Sequence, residues 1–163
     1  MADIKDLNIV VANLMNRAIA LWDKNGFDIL VTQGYRTIAY QNSLYAIGRT
    51  LPGTIITDAK GGYSAHNYGL AFDICGLVHG AATYDLDWNK LGALGKSVGL
   101  TWGGDWVSFP DRPHFEYTFG LSISDLVSGK RPPNLVKISA PAGLVGLVEN
   151  KIRRIAGDIY KIV

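Results

Sequence analysis

The stretch Ser64-Ala65-His66-Asn67-Tyr68-Gly69-Leu70-Ala71-Phe72-Asp73 decides how this chain folds, because its two chemically useful side chains stand seven residues apart. A helix would set His66 and Asp73 on one face, but Gly69 and the apolar run after it favour a strand. Along a straight strand, residues seven apart point to opposite faces. A turn at Asn67-Tyr68-Gly69 resolves the conflict, with His66 before it and a returning strand from Leu70 to Cys75 carrying the carboxylate. In that strand Leu70, Phe72 and Ile74 face the core, while Ala71, Asp73 and Cys75 share the other side. Two small neighbours leave room beside Asp73 for a metal ion.

Further along, Asp111-Arg112-Pro113-His114-Phe115-Glu116-Tyr117 supplies the second piece. Alternation sends Phe115 and Tyr117 one way and His114 and Glu116 the other, so His114 comes from a second strand. Pro113 biases Arg112 toward an extended conformation, and a bend there aims Asp111 and His114 into one pocket. Catalytic zinc sites use three protein ligands, histidines and carboxylates among them, and keep the fourth position for water. His66, Asp73 and His114 make such a set, although two histidines and a carboxylate also accept other divalent ions. The chemistry expected is hydrolysis, because zinc lowers the pKa of a bound water from about 15.7 to about 7 and polarises a carbonyl under attack. Asp111 is the candidate general base, taking the water's proton and passing it to a leaving amine. Arg36, just past the apolar run Ile29-Leu30-Val31, is placed to steady the developing oxyanion or to grip a substrate carboxylate.

Each of these residues also has a plainer reading. A histidine and an aspartate near a strand more often share a structural hydrogen bond than a metal. Arg36 also reads as a surface ion-pair residue. Glu116, on the same strand face as His114, rivals Asp111 as base or supports His114 from behind. Trp102 and Trp106 flank the turn sequence Gly103-Gly104-Asp105, so they either pack the core or, for Trp106, wall a substrate groove. Asp105 reads as a turn former, His79 as an exposed loop residue, and Cys75 as a small packed filler. Gly61-Gly62 makes a flexible loop with no phosphate-binding pattern.

The rest of the chain organises around these motifs as an α+β domain, a small antiparallel sheet flanked by helices with the zinc site on the sheet. Leu7, Val10, Val11, Leu14, Ala18 and Leu21 recur at helical spacing, and Asn25-Gly26 ends that helix. A strand follows near Asp28 to Thr32, then a second helix from Thr37 to Ile47 and a loop at Pro52-Gly53. A third helix spans Asp87 to Val98, capped by Asp87 and stopped at Gly99. With 163 residues, 48% hydrophobic and 18% charged, the chain is long enough for one real core. Its single cysteine excludes an intramolecular disulfide.

Residues 1–130 form the catalytic domain and residues 131–163 a linker with a basic amphipathic helix. From Lys130 to Val163 there are seven basic and two acidic residues, and Val145, Val148, Ile152, Ile155, Ile159 and Ile162 make an apolar stripe opposite Lys151, Arg154 and Lys161. That helix either docks on the domain or a second copy, or binds anionic wall polymer or a membrane surface. Met1-Ala-Asp-Ile-Lys-Asp lacks a signal-peptide layout, and no run approaches a membrane span, so synthesis in the cytoplasm is expected. No nucleic-acid motif is present, and a nucleic-acid partner is not expected. The oligomeric state is left open by the sequence.

The motifs Gln33-Gly34-Tyr35-Arg36, Gln41-Asn-Ser-Leu-Tyr-Ala46, Ser64-Ala-His66, Gly69-Leu-Ala-Phe-Asp73, Trp102-Gly-Gly-Asp-Trp106 and Asp111-Arg-Pro-His-Phe-Glu116 resemble a known family. It comprises zinc peptidases of bacterial cell walls, including vancomycin-resistance D-Ala-D-Ala peptidases and the L-alanyl-D-glutamate endolysins of phages. The resemblance implies that His66, Asp73 and His114 hold zinc, Asp111 is the base, Arg36 binds substrate or transition state, and Ser64 contacts substrate or supports the metal site. Because the D-Ala-D-Ala branch typically carries glutamate where this chain has Asp111, the endolysin branch is the closer match. It implies a bacteriolytic endopeptidase acting on the peptidoglycan stem peptide, made in the host bacterium and released to the wall through a holin-permeabilised membrane. The alternatives are a D-alanyl-D-alanine carboxypeptidase or dipeptidase, and a non-catalytic zinc-containing wall-binding module.

Overall fold

The structure is a computed structural model that describes residues 4–133. The linker from Asn134 onward and the basic amphipathic helix expected in the tail lie outside the described residues.

The first helix, α1 (Ile9–Lys24), opens at Asn8, whose side chain accepts a hydrogen bond from Val10 N at 2.9 Å. It closes at Asn25 and Gly26, the latter at φ 86°. Strand β1 (Ile29–Gln33) is followed by α2 (Ile38–Ala46), whose Thr37 hydroxyl accepts from Tyr40 N at 3.1 Å. A short 3-10 helix (Ala65–Tyr68) then leads into strand β2 (Ala71–Val78). Gly69 makes that corner at φ 67°, with its carbonyl accepting from Asn8 N. A Cβ at Gly69 would meet the Asp6 carbonyl at 2.5 Å, so glycine serves both the left-handed backbone and the close approach.

Strand β2 runs further than its sequence suggested. It turns at His79-Gly80 into β3 (Ala81–Thr83), with His79 itself at φ 51°. Helix α3 (Trp88–Ser97) follows, capped by Asp87, which accepts from Lys90 N at 3.0 Å, and ended before Gly99. Strands β4 (Thr101–Trp102) and β5 (His114–Glu116) complete the sheet, and a five-residue helix α4 (Ile123–Val127) follows with a Ser122–Asp125 capping box. Among the described residues no helix is long and apolar enough to cross a membrane.

The sheet order is β1-β2-β5-β4 and every pairing is antiparallel. Gly76 pairs with both Ile29 and Thr83, and Asp73 with both Gln33 and His114. Strands β3 and β5 therefore share the side of β2 opposite β1. Residues Ala71 to Gly76 are all buried, so the face carrying Asp73 is covered as well as the core face. On the core face Phe72, Phe115 and Trp102 lie in register across three strands and stack, at 5.9 and 6.5 Å between ring centroids. Trp22 of α1 closes on Phe115 from below at 5.0 Å.

Helix α3 lies flat on this aromatic row because it presents glycines to it. A Cβ on Gly92 would stand 2.3 Å from the Trp102 ring, and one on Gly95 would stand 2.4 Å from Phe115. Alanine gains about 1 kcal/mol of helix propensity over glycine. The clash outweighs that gain, so Gly95→Ala is expected to destabilise the domain by about 1–3 kcal/mol, read as a lowered urea midpoint.

Candidate metal centre and cleft

Asp73 and His114 are direct partners across the β2–β5 pair, so their side chains rise side by side from one face. His66 arrives from the 3-10 helix just before β2, where Ser64 caps the turn by accepting from His66 N at 3.4 Å. The three donor atoms form a nearly equilateral triangle. His66 Nε2 lies 3.1 Å from Asp73 Oδ1 and 3.2 Å from His114 Nδ1, and His114 Nδ1 lies 3.2 Å from Asp73 Oδ1. A tetrahedral ion with bonds of about 2.0–2.1 Å separates its ligands by about 3.3–3.4 Å, so the triangle fits zinc within a few tenths of an ångström.

Hydrogen bonds behind the ligands fix which atom each one presents. His66 Nδ1 donates to the Gly34 carbonyl at 2.7 Å, which leaves Nε2 as the lone-pair donor. His114 Nε2 donates to Glu116 Oε2 at 3.0 Å, which turns Nδ1 inward. The second Asp73 oxygen accepts from Arg36 Nη2. This is the outer support that metal-binding histidines and carboxylates usually have. Glu116→Ala is expected to lower metal affinity about 10- to 100-fold, measured by competition with a chelating dye.

The same contacts set the protonation states. Burial holds His66 below the usual histidine range, against the pull of Asp73. Burial also works against the Asp73 charge, but His66 and His114 hold its carboxyl well below the usual carboxylate range. His114 goes the other way: burial would lower it, yet its hydrogen bonds to Asp73 and Glu116 push it up to about 9. Without a metal, His114 is thus a cation between two carboxylates at neutral pH.

Arg36 is drawn into the site rather than standing on the surface. Besides Asp73, its guanidinium donates to Gln33 Oε1 at 3.3 Å and Gln41 Oε1 at 3.4 Å, and its backbone N–H donates to the His66 carbonyl at 3.0 Å. Gln41, fully buried, donates in turn to the Ala59 carbonyl at 2.8 Å and the Thr57 hydroxyl at 3.4 Å. Sequence reasoning missed this residue. Its signal was a lone polar side chain on the inner face of α2, inside the motif that begins at Gln41.

Asp111 approaches His114 over Gly103. Its N–H donates to the Gly103 carbonyl at 2.9 Å and its carbonyl accepts from His114 N at 3.2 Å. A Cβ on Gly103 would lie 2.6 Å from the Asp111 carbonyl and 3.0 Å from His114 Cβ, so only glycine permits this spacing. Among the described residues the Asp111 carboxylate takes no hydrogen bond. Burial and then the Asp73 charge raise its pKa. It lines a cleft of about 440 Å³ with Arg36, Ser64, His66, Trp106 and His114. The Trp106 ring sits 4.9 Å from the His114 ring. Of the other residues singled out, Asp105 pairs with Lys96 at 2.6 Å, His79 makes the β2–β3 turn, and Cys75 is a buried free thiol.

Donor atoms at zinc-like spacing, with a carboxylate of raised pKa facing the same cleft, are what hydrolysis of an unactivated bond requires, so fold and site define a metallohydrolase. Over 122 residues the chain is 38% identical to the peptidoglycan L-alanyl-D-glutamate endopeptidase CwlK of Bacillus subtilis, a match covering 68% of this chain and 73% of that protein. A peptidase M15 family model, described as D-alanyl-D-alanine carboxypeptidase, matches residues 57–117. The chain belongs to this family of metallopeptidases. The fold is shared with the L-Ala D-Glu endopeptidase ChiX of Serratia marcescens, at TM-score 0.55 and 22% identity over 72% of this chain and 84% of that one. It is also shared with the vancomycin-resistance D,D-pentapeptidase VanY, solved with Zn(II), at TM-score 0.54 and 16% identity over 75% and 76% of the two chains.

Proposed function

We propose that this protein is a zinc-dependent peptidoglycan endopeptidase that cuts the stem peptide between L-alanine and D-glutamate. The observation that carries the reading is the triangle of His66, Asp73 and His114 on a cleft shared with the Asp111 carboxylate. Zinc held there supplies Lewis acidity toward water and the scissile carbonyl. Asp111 takes the proton of the attacking water and hands it to the leaving amine, and its raised pKa suits both halves of that transfer. Arg36 keeps Asp73 oriented and sets positive charge beside the oxyanion as it forms. Ser64 and Trp106, on the cleft wall, contact the bound substrate.

The choice of bond is supported by the Bacillus relative, whose name specifies it, and by aspartate at position 111. The wider setting we propose is that of a phage or prophage lysis enzyme delivered to the wall through a permeabilised membrane. The description of the matching family favours a second reading, a D-alanyl-D-alanine carboxypeptidase. Digestion of purified peptidoglycan with and without chelator separates the two. New D-glutamate or D-isoglutamine amino termini that vanish with chelator are the expected products. Release of D-alanine alone would move the protein to the carboxypeptidase branch.

A further inference from the structure

We infer that the rim of the cleft is a sugar subsite, in which Trp106, Phe109 and Tyr63 hold the lactyl-bearing amino sugar to which the stem peptide is attached. The inference rests on the L-alanyl-D-glutamate reading and extends the substrate from a peptide to a glycopeptide.

All three rings line the cleft, yet 37% of Trp106, 38% of Phe109 and 44% of Tyr63 stay exposed. Exposed apolar side chains are ordinary when scattered singly, whereas several gathered at one opening mark a binding surface. The rim also begins at the reaction centre, because Trp106 packs directly on His114. Asp58, one of whose oxygens is paired with Arg49 at 2.9 Å, and Ser108 line the same opening and offer it a carboxylate oxygen and a hydroxyl.

The covalent structure of the substrate explains why a sugar should sit there. The L-alanine of a stem peptide is joined through its amino group to the lactyl ether of the sugar. A scissile alanyl carbonyl beside Asp111 therefore carries the sugar only one residue away, about 3.3–3.6 Å of chain plus the lactyl arm. A pyranose offers a C–H face to flat rings and a rim of hydroxyl and N-acetyl groups to polar neighbours. A mostly apolar wall with a few placed polar groups is the usual composition of a small-molecule site. Contacts remote from the reacting bond raise turnover as well as affinity, so truncating the sugar should cost catalytic efficiency.

Two soluble substrates that differ in the sugar decide the matter: N-acetylmuramyl-L-alanyl-D-isoglutamine and N-acetyl-L-alanyl-D-isoglutamine. Metal-loaded protein is assayed for kcat/KM by the appearance of free D-isoglutamine. The sugar-bearing substrate is expected to be preferred by roughly tenfold or more, each ring being worth about threefold to tenfold. Phe109→Ala and Tyr63→Ala should each cut that preference, and their exposed positions leave the fold intact. Val107→Ala, in the same loop but outside the cleft lining and 99% exposed, should keep it. Equal hydrolysis of both substrates overturns the sugar subsite and leaves the choice of bond standing, as does a preference that both ring variants retain. Hydrolysis of neither overturns both.

Discussion

Asp111→Asn is expected to lower peptide hydrolysis by about 10²- to 10⁴-fold while zinc content and thermal stability stay at the wild-type level. The amide keeps the shape of the carboxylate but cannot take a proton from water. It leaves no partner orphaned, because the Asp111 contacts that hold the loop are made by its backbone, to Gly103 and His114. Nor does it remove a ligand, since the donor triangle is complete without it. The measurement is kcat/KM on a stem-peptide substrate beside metal analysis of the same samples. A loss below tenfold with zinc still bound would remove Asp111 from the base role. Glu116 is the less suitable base because one of its oxygens is already engaged by His114 Nε2.

The candidate metal site was legible because its signal lies in side-chain type and local spacing. His66 and Asp73 required a turn between them, and the structure makes that corner with a 3-10 helix and Gly69. The alternation in residues 114–117 put His114 and Glu116 on one face, and the hydrogen bond between them follows from it. Helices α1, α2 and α3 were legible for a similar reason, since Asn25-Gly26, Thr37, Asp87 and Gly99 are boundary signals that act locally. Less was visible wherever the deciding partner is distant in sequence. Gln41 gains its meaning from Arg36 on one side and Thr57 and Ala59 on the other. Read from its own surroundings in the sequence, Arg36 fitted a surface ion pair as well as the site, and only the fold brings it to Asp73. The β2–β3 hairpin was hidden because His79, not a glycine, takes the first left-handed position of its turn. Helix α4 is too short for periodicity to register and is betrayed only by its Ser122–Asp125 cap.

Removing the metal should abolish hydrolysis, and rebinding it should expel about one proton per site near neutral pH, because a ligating histidine must be neutral. The proton comes from His114. In the metal-free fold its pKa stands at about 9, above the ordinary 6.5, held there by Asp73 and Glu116. That raised value stabilises the metal-free protein below about pH 6.5, and the stabilisation is lost as pH rises toward 9. Asp73 contributes in the opposite sense, since its depressed pKa keeps the pair charged until the solution is strongly acidic. The metal-free protein should therefore melt at progressively lower temperature between about pH 6.5 and 9, while zinc affinity rises across the same window. The loaded protein should resist the fall, because tighter binding to the native state alone adds stability as affinity grows. Titration calorimetry in two buffers of different ionisation enthalpy reads the proton directly. Zinc binding without proton release would mean that His114 is already neutral, and that the carboxylates of Asp73 and Glu116 orient the ring without charging it.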